Sequence, residues 1–459
     1  KETMEKIARA TLTDLDLPEG YVGWTMVMLA SAFWREQVAA VDLLVPTRPD
    51  PAAQVAAGAG PAHRRLRGLW PAMQRWFDRE RPDLVLLHAE RGAISDLFTR
   101  AAEAAGRHII HMEVGQPGTG APKAAIRAVT DAMHAGPLGY TVALGLPALR
   151  ARIAQLYGAW YNIDLNPERV IVTSGASGGF ILAFNALFDS GDRVGIGAPG
   201  YPSYRQILKG LGFHPVDLPT SDTNRLQPVP ADFSGLDLAG LLVASPGNPT
   251  GTMLDHAAMG ALIEASHAAG ASFISDEIYH GIEYEAKAVS ALEISDDVYV
   301  INSFSKYFSM TGWRIGWMVV PEDHVRVVER IAQNMFICPP HVSQVAALAA
   351  LDAHDELQLN MDVYRANRAL MIEGLPKAGF TRFAPPDGAF YVYADVSDIT
   401  QDSRALAAEI LEQAGVAVTP GLDFDPVRGH TTLRFSYARK TEDISEGLRR
   451  LTDFMAQRR

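Results

Sequence analysis

The chain has 459 residues, of which 48% are hydrophobic and 20% are charged, as is usual for a globular protein with room for two or three domains. Its formal net charge of -12 argues against a nucleic-acid-binding protein, because such proteins present a basic surface to the phosphate backbone. The composition therefore predicts a globular protein without a nucleic-acid partner.

Cysteine content and hydropathy restrict the compartment. Cys338 is the only cysteine, so no intramolecular disulfide can form, which fits a reducing environment. The most conspicuous apolar stretch near the start, residues 21–34, is too short and too interrupted for a membrane span. Acidic residues precede this stretch, unlike in a signal peptide. We expect a cytoplasmic protein with no membrane partner and no metal site.

Residues 1–91 are predicted to be an N-terminal extension that differs in pattern from the rest. Residues 41–45 and 84–88 are typical of short strands, and a stretch rich in Ala, Gly and Pro leads into a helix between them. Apolar residues between Leu66 and Phe77 share one face of that helix, while five arginines lie largely outside it. We interpret the helix as docked on the remainder of the chain with a solvated basic face. A binding patch is the alternative.

Downstream of about residue 92, short apolar runs alternate with helical patterns. This alternation predicts an α/β fold with a mainly parallel sheet and helices on both faces. The predicted strands are residues 170–172, 193–196, 241–243, 272–274, 298–301 and 316–320.

The first of these strands is followed by a run of small residues, 173–179, ahead of a helical pattern over 180–187. Small side chains at the start of a helix allow backbone N–H groups to approach a phosphate. The run therefore predicts a phosphate-binding turn.

Two polar side chains follow later strands. Asn248 lies in the loop after residues 241–244. Its side-chain amide could donate to a phenolate oxygen of a bound cofactor. The alternative is an Asn-Pro turn that caps the strand. Asp276 comes two residues after the end of the apolar run 271–274. A carboxylate at the carboxyl end of a strand can face a pyridine nitrogen and keep it protonated. We expect Asp276 to have that role.

Residues 303–314 place one lysine, Lys306, eight residues before one arginine, Arg314. A desolvated lysine amine loses its proton readily and condenses with an aldehyde, whereas the forked guanidinium suits a phosphate dianion. By itself such a segment could be an ordinary loop packed on a core. Together with the phosphate turn, the amide and the carboxylate, it suggests pyridoxal 5'-phosphate as cofactor.

From about residue 94 to the C-terminus, the chain resembles the class I/II aminotransferases, the aspartate aminotransferase-like enzymes of fold type I. Nine ordered motifs carry this resemblance: residues 115–117, 138–141 with 145 and 149–150, 173–179, 199–204, 248–251, 275–279, 303–314, 388–391 and 433–435. It implies an aminotransferase domain over residues 92–459. A large cofactor-binding part would cover about 137–341, and a smaller α+β part about 92–136 plus 342–459.

The resemblance also implies a role for each site residue. Lys306 would form a Schiff base with the cofactor and later move a proton, and Asp276 would pair with the pyridine nitrogen. Asn248 and Tyr279 would hydrogen-bond the phenolate oxygen, and Tyr201 would stack on the ring. The implied phosphate ligands are Gly175, Ala176, Ser177, Ser303, Ser305 and Arg314.

Substrate binding and assembly follow from the same resemblance. Arg434 would clamp the α-carboxylate in a two-pronged pair, with Gly115 and Asn248 beside it. Tyr140 would reach the phosphate of a partner subunit, which implies a homodimer with shared active sites. Phe308, Phe336, Ile337 and Phe390 either line an apolar substrate pocket or pack in the core.

The resemblance predicts a transaminase that moves an amino group from an amino acid to a 2-oxo acid, with glutamate and 2-oxoglutarate as one expected pair. Another reaction of the same cofactor at the α, β or γ carbon, in specialised biosynthesis, is an alternative, because fold and cofactor do not decide which bond breaks. The other alternative is a non-catalytic, cofactor-binding transcription regulator. The negative net charge argues against it, and so does the presence of Lys306, Arg314 and Arg434.

Overall fold

The structure, a computed structural model, describes residues 108–458. The two strands and the helix predicted within residues 1–91 lie outside the described residues. Among residues 108–458, none of the helices combines the length and apolar character that a bilayer crossing requires.

Helices and strands alternate through most of the described chain. The helices are α1 (Lys123–Ala135), α2 (Pro147–Tyr161), α3 (Gly175–Leu187), α4 (Pro202–Gly210), α5 (His256–Ala268), α6 (Val325–Phe336), α7 (His341–Ala350), α8 (His354–Lys377), α9 (Ser403–Ala414) and α10 (Thr441–Arg458). The strands are β1 (Ile110–His111), β2 (Val170–Thr173), β3 (Arg193–Ala198), β4 (His214–Pro219), β5 (Gly240–Ala244), β6 (Ser272–Asp276), β7 (Tyr299–Ser303), β8 (Gly316–Val319), β9 (Arg382–Phe383), β10 (Tyr391–Asp395), β11 (Val416–Ala417), β12 (Thr419–Pro420) and β13 (Thr432–Ser436).

The described residues fall into two compact units. Residues 108–110 and 405–417 belong to the first, in which the backbone N–H of Ile110 donates to the carbonyl oxygen of Gly415 at 2.9 Å. Residues 111–404 and 418–458 form the second, which contains both larger sheets and all the predicted site residues.

A seven-stranded sheet in the order β2-β8-β7-β6-β5-β3-β4 is the centre of the second unit. The pairs β3–β4, β3–β5, β5–β6 and β6–β7 are parallel, whereas β8 is antiparallel to both of its neighbours. The predicted mainly parallel α/β sheet is therefore confirmed. Strand β4 was not predicted, since its sequence carries two prolines, which are tolerated because this strand lies at the sheet edge.

One apolar cluster fixes α3 against the sheet. Phe180 and Phe184 of α3 pack with the strand residues Ile171, Ile274 and Ile301, and all five are buried. Full burial of a side chain of this size contributes about 1.5–3 kcal/mol. This packing holds the first turn of α3 at the carboxyl edge of the sheet.

A smaller antiparallel sheet has the order β12-β13-β10-β9. In its register Arg434 of β13 lies opposite Tyr393 of β10 and Thr419 of β12. Side chains alternate between the faces of a strand, so the register determines which neighbours Arg434 meets.

Candidate active site

The predicted cofactor residues collect at one edge of the seven-stranded sheet. Gly175 follows β2, Asn248 follows β5, Asp276 ends β6 and Ser303 ends β7. These four strands run in the same direction, because β8 is antiparallel to both β2 and β7. Their carboxyl ends therefore form a common crevice, which is where open α/β sheets bind ligands.

The first turn of α3 forms one end of this crevice. The helix begins at Gly175, five residues earlier than the sequence pattern predicted, so the small-residue run is itself the first helical turn. The backbone N–H groups of Gly175, Ala176 and Ser177 have no acceptor within the helix, and Ser174 does not cap them with its side chain. Three donors and the positive end of the helix dipole thus meet at one place, as an anion requires.

Arg314 adds a cation to the same place. A Cβ atom at residue 175 would lie 2.5 Å from Nη2 of Arg314, so the guanidinium rests against the start of α3. Gly316 packs there as well, because a Cβ atom on it would lie 3.1 Å from the backbone nitrogen of Ala176. This arrangement fits a phosphate dianion held by backbone donors on one side and a guanidinium on the other.

The two serines lie in the turn that leads from β7 to Arg314. The Ser303 hydroxyl is 2.8 Å from that of Ser305 and donates to the carbonyl oxygen of Ile315 at 3.1 Å. The backbone N–H of Ser305 donates to Ser303 Oγ at 3.0 Å. These bonds fix the positions of both hydroxyls within this turn, and their role as phosphate ligands stays a prediction.

Gly175→Ala is expected to lower the free energy of unfolding by about 1–3 kcal/mol, because Gly175 has a φ of 73°, where side chains are strained. It should also displace Arg314 and weaken binding of pyridoxal 5'-phosphate by roughly tenfold, since a charge-assisted contact is lost. Gly235→Ala is the matched control, because Gly235 has a φ of 75° and open space around it. Urea unfolding should show a lower free energy of unfolding in both variants. Fluorescence titration should show a lower affinity for the cofactor only in Gly175→Ala. Equal cofactor affinity in the two variants would contradict this phosphate site.

Asp276 lies in the middle of the crevice, with an exposed fraction of 2%. Its Oδ1 accepts from the backbone N–H of Ile278 at 3.1 Å, and its Oδ2 accepts from the Tyr204 hydroxyl. Burial raises the pKa of Asp276 to about 6, against the opposing effect of these bonds and of the Lys306 charge. A buried carboxylate of this kind is stabilised by a cation facing it, so a protonated pyridine nitrogen fits the position.

Tyr204 was not predicted as a site residue, because from sequence it is indistinguishable from a core aromatic. Its ring stands edge-on to that of Tyr201, with centroids 5.4 Å apart. Tyr201 itself is 38% exposed, so one face remains accessible for the predicted stacking on a ring. The spacing of three residues at the start of α4 is the signal that could have linked the two tyrosines.

Lys306 is partly buried between the cofactor crevice and the smaller sheet. Its Nζ donates to the carbonyl oxygen of Gly115 at 2.5 Å. The same atom lies 5.5 Å from the centre of the Tyr279 ring and 5.8 Å from that of Phe390. A lysine placed among rings beside the buried Asp276 has the surroundings expected for an amine that reacts with an aldehyde.

Arg434 is buried, with an exposed fraction of 6%. Its Nη1 donates to Asn248 Oδ1 at 2.9 Å, and its Nη2 donates to the carbonyl oxygen of Glu113 and to Thr419 Oγ1. Its Nε is buried without an acceptor among the described residues. Because these contacts are all neutral groups, the guanidinium can still bind a carboxylate. Asn248 uses its oxygen for Arg434, which leaves its amide N–H groups for another acceptor.

Three of the predicted residues lie in other surroundings. Tyr140 is 83% exposed, so its ring is not buried in the crevice of its own chain. Among the candidate pocket residues, Phe308 is buried against Phe304 and Trp317, as the core alternative predicted, and Ile337 is more than half exposed.

A second buried acid lies directly behind the crevice. Glu277 accepts from the Ser290 hydroxyl and from the backbone N–H of Ala291, and burial raises its pKa to about 8. His280, whose pKa is lowered to about 4 by burial, lies 3.5 Å from it. Since both groups are neutral near pH 7, the contact is not an ion pair. Neither residue was predicted to act in the site.

Glu277→Gln is expected to flatten the decline of stability with pH. In the wild type, the Glu277 carboxyl loses its proton near pH 4.5 in the unfolded protein, whereas in the folded protein it keeps the proton until about pH 8. The folded state therefore binds more protons in this window, so stability falls by up to about 1.4 kcal/mol per pH unit. Glutamine mimics the protonated acid and removes this term. Chemical denaturation from pH 5 to 8 measures it, and parallel slopes for the two proteins would contradict the expectation.

Comparisons with known proteins agree with this geometry. A family model described as aminotransferase class I and II matches residues 107–451. Valine–pyruvate aminotransferase of Mycobacterium tuberculosis is 44% identical over 370 residues, which cover 79% of this chain and 95% of that protein. A solved aminotransferase from Mycobacterium tuberculosis is 43% identical with a TM-score of 0.76, covering 82% of this chain and 100% of that one. A solved structure described as a provisionally assigned aminotransferase from Silicibacter pomeroyi is 77% identical with a TM-score of 0.75, and the match covers 78% of this chain and 94% of that one.

Proposed function

Because this chain belongs to the class I and II aminotransferases, which use pyridoxal 5'-phosphate to transfer an amino group from an amino acid to a 2-oxo acid, we propose that it prefers valine with pyruvate. The family model and the aminotransferase relatives together confirm the predicted fold type I, the cofactor and transamination. The substrate pair is the proposal, and it differs from the expected glutamate and 2-oxoglutarate.

The observation that carries the proposal is the 44% identity, over 370 residues, between this chain and the valine–pyruvate aminotransferase. The surroundings of Lys306 are consistent with an apolar side chain. Tyr279 and Phe390 lie next to its Nζ, and Tyr391 and Phe424 flank Arg434. Transferring a charged side chain into such surroundings without a partner is unfavourable, whereas an isopropyl group gains from burial.

The site residues have separate proposed tasks. When bound, the cofactor supplies an electron sink that weakens the bonds to the substrate α-carbon. Lys306 would bind the aldehyde carbon and afterwards carry a proton at the substrate α-carbon. Asp276 would keep the pyridine nitrogen protonated, while Asn248 and Tyr279 would donate to the phenolate oxygen. Arg434 would orient the substrate through its α-carboxylate.

The preference is tested by a matrix of amino donors and acceptors. Valine, aspartate and glutamate are each assayed with pyruvate and with 2-oxoglutarate, and the keto and amino products are quantified. We expect kcat/KM for valine with pyruvate to exceed that for aspartate by at least about tenfold, the factor for about 1.4 kcal/mol. A preference for aspartate would refute the substrate pair and leave the transaminase activity standing.

We further propose that the enzyme is a homodimer in which Tyr140 enters the partner's site. The exposed ring of Tyr140 sits on an anchored backbone, since Thr141 donates to Cys338 Sγ at 3.4 Å and accepts from Gln344 at 3.0 Å. Val142 and Ile337 beside this segment are more than half exposed. A second copy of the chain would cover these apolar side chains.

Hybrid dimers test the shared site. Tyr140→Phe and Lys306→Ala proteins are each expected to be impaired, and mixing them under exchange conditions should restore about a quarter of wild-type activity at a one-to-one ratio with random pairing. The reason is that each hybrid contains one site with both native residues. Without recovery in confirmed hybrids, Tyr140 would act within its own chain.

The domain division at about residues 137–341 is also part of the proposal. The seven-stranded sheet lies wholly within that range, and the four-stranded sheet lies in the later part. Limited proteolysis should cut near these boundaries before it cuts within either sheet.

A cytoplasmic location is proposed from the single cysteine and is tested by cell fractionation.

A further inference from the structure

Tyr391 lies where the groups around Lys306 meet those around Arg434. Its hydroxyl is 2.7 Å from that of Tyr279. Its ring lies under the guanidinium of Arg434, with 4.5 Å between the ring centre and Cζ. We propose that Tyr391 is a positioning residue for transamination, which orients the Tyr279 hydroxyl and supports Arg434 at the same time. This inference rests on the proposed roles of those two residues.

The direction of the bond between the two hydroxyls follows from a count of protons. Tyr279 has one O–H group, which its proposed role directs to the phenolate oxygen of the cofactor. The Tyr279 oxygen must then accept from Tyr391. A donor bound to a phenol oxygen strengthens the phenol's own donation, so Tyr391 reinforces Tyr279 as well as orienting it.

Gly115 shows how closely the Tyr391 hydroxyl is held. A Cβ atom at residue 115 would lie 1.9 Å from that hydroxyl oxygen, so only glycine leaves the room it occupies. The carbonyl oxygen of the same glycine accepts from Lys306 Nζ, and that of Glu113 accepts from Arg434. Tyr391 is therefore confined on two sides. The backbone of residues 113–115, which contacts both Lys306 and Arg434, lies on one side, and the ring of Tyr279 lies on the other.

The ring and the hydroxyl of Tyr391 serve different groups, so two substitutions separate them. Tyr391→Phe removes the bond to Tyr279 and keeps the ring under Arg434. Tyr391→Leu removes both. Tyr393→Phe is the matched control, since Tyr393 lies on the same strand, is also buried, and loses one hydroxyl contact of 2.6 Å, to Thr432.

The first readout is the pH midpoint of the visible absorbance change of the cofactor-loaded protein. A weaker donor to the phenolate oxygen leaves more charge on it, so the oxygen holds a nearby proton more firmly and the midpoint rises. We expect Tyr391→Phe to raise the midpoint by about half to one pH unit, as one hydrogen bond would. Tyr279→Phe should shift it in the same direction, and the double variant should match Tyr279→Phe alone.

The second readout is the dissociation constant of isovalerate, a carboxylate probe, measured by calorimetry. Tyr391→Leu should weaken its binding about threefold to tenfold, because the cation–π contact with Arg434 is lost. The dissociation constants of isovalerate for Tyr391→Phe and Tyr393→Phe should stay within about twofold of the wild-type value, because both variants keep the Tyr391 ring position under Arg434 filled by an aromatic ring.

Each outcome decides one point. A Tyr391→Phe midpoint equal to wild type, or a full additional shift in the double variant, would overturn the role toward Tyr279. An unchanged isovalerate affinity in Tyr391→Leu would overturn the role toward Arg434. A shift in Tyr393→Phe equal to that in Tyr391→Phe would reduce Tyr391 to a structural residue. Absence of wild-type transamination with every donor would instead refute the proposed function.

Discussion

Lys306→Ala is expected to lower kcat by at least about a thousandfold while the protein still folds. The substitution removes the amine that would react with the cofactor aldehyde and the base that would move the substrate proton, and positioned proton transfer alone contributes about 10²–10⁴-fold. Among the contacts that Nζ loses are the bond to Gly115 and two ring contacts, and the fold should tolerate the change because Lys306 is only partly buried. Steady-state transamination rates measure the effect, and circular dichroism checks the fold.

Lys287→Ala is the control for this substitution, because Lys287 is exposed and makes none of the site contacts. Its kcat should stay within about twofold of wild type, as expected for a surface change. Retention of more than about a tenth of the activity in Lys306→Ala would place the reacting amine elsewhere, since proton transfer alone accounts for a larger loss.

The sequence was sufficient for the framework of the site because its signals are local. Strands end at Asp276 and Ser303, small residues begin a helix at Gly175, and each motif can be recognised within about ten neighbouring residues. The parallel strands then bring the motifs together, since their carboxyl ends share one edge of the sheet. Family membership explains the order in which they occur.

The hydroxyl pairs could not be predicted, because their partners are distant in the chain. Tyr204 binds Asp276 across 72 residues, and Tyr391 binds Tyr279 across 112. Before these tertiary contacts are known, both Tyr204 and Tyr391 are indistinguishable from apolar core aromatics. The same holds for β4, whose two prolines contradict a strand until its position at the edge is seen.

Arg434→Ala is expected to raise KM for the amino donor by roughly 30-fold to several thousandfold. The range corresponds to about 2–5 kcal/mol, the loss when one partner of a buried charge pair is removed. Arg434→Lys should fall between this variant and wild type, because an ammonium keeps the charge but cannot form the two parallel bonds of a guanidinium. Initial rates over a range of valine concentrations separate KM from kcat.

The surroundings of Arg434 make this test specific for carboxylate recognition. Asn248 Oδ1 and the Glu113 carbonyl oxygen both lose a donor in Arg434→Ala, so some loss of stability is expected as well. Arg449→Gln controls for loss of an arginine at an exposed position on α10, where it pairs with Glu446. An amine without a carboxylate would gain nothing from Arg434, so its slow turnover should be equal in wild type and Arg434→Ala. A decrease of the same size for that amine and for valine would mean that Arg434 maintains the fold of the site and does not bind the substrate.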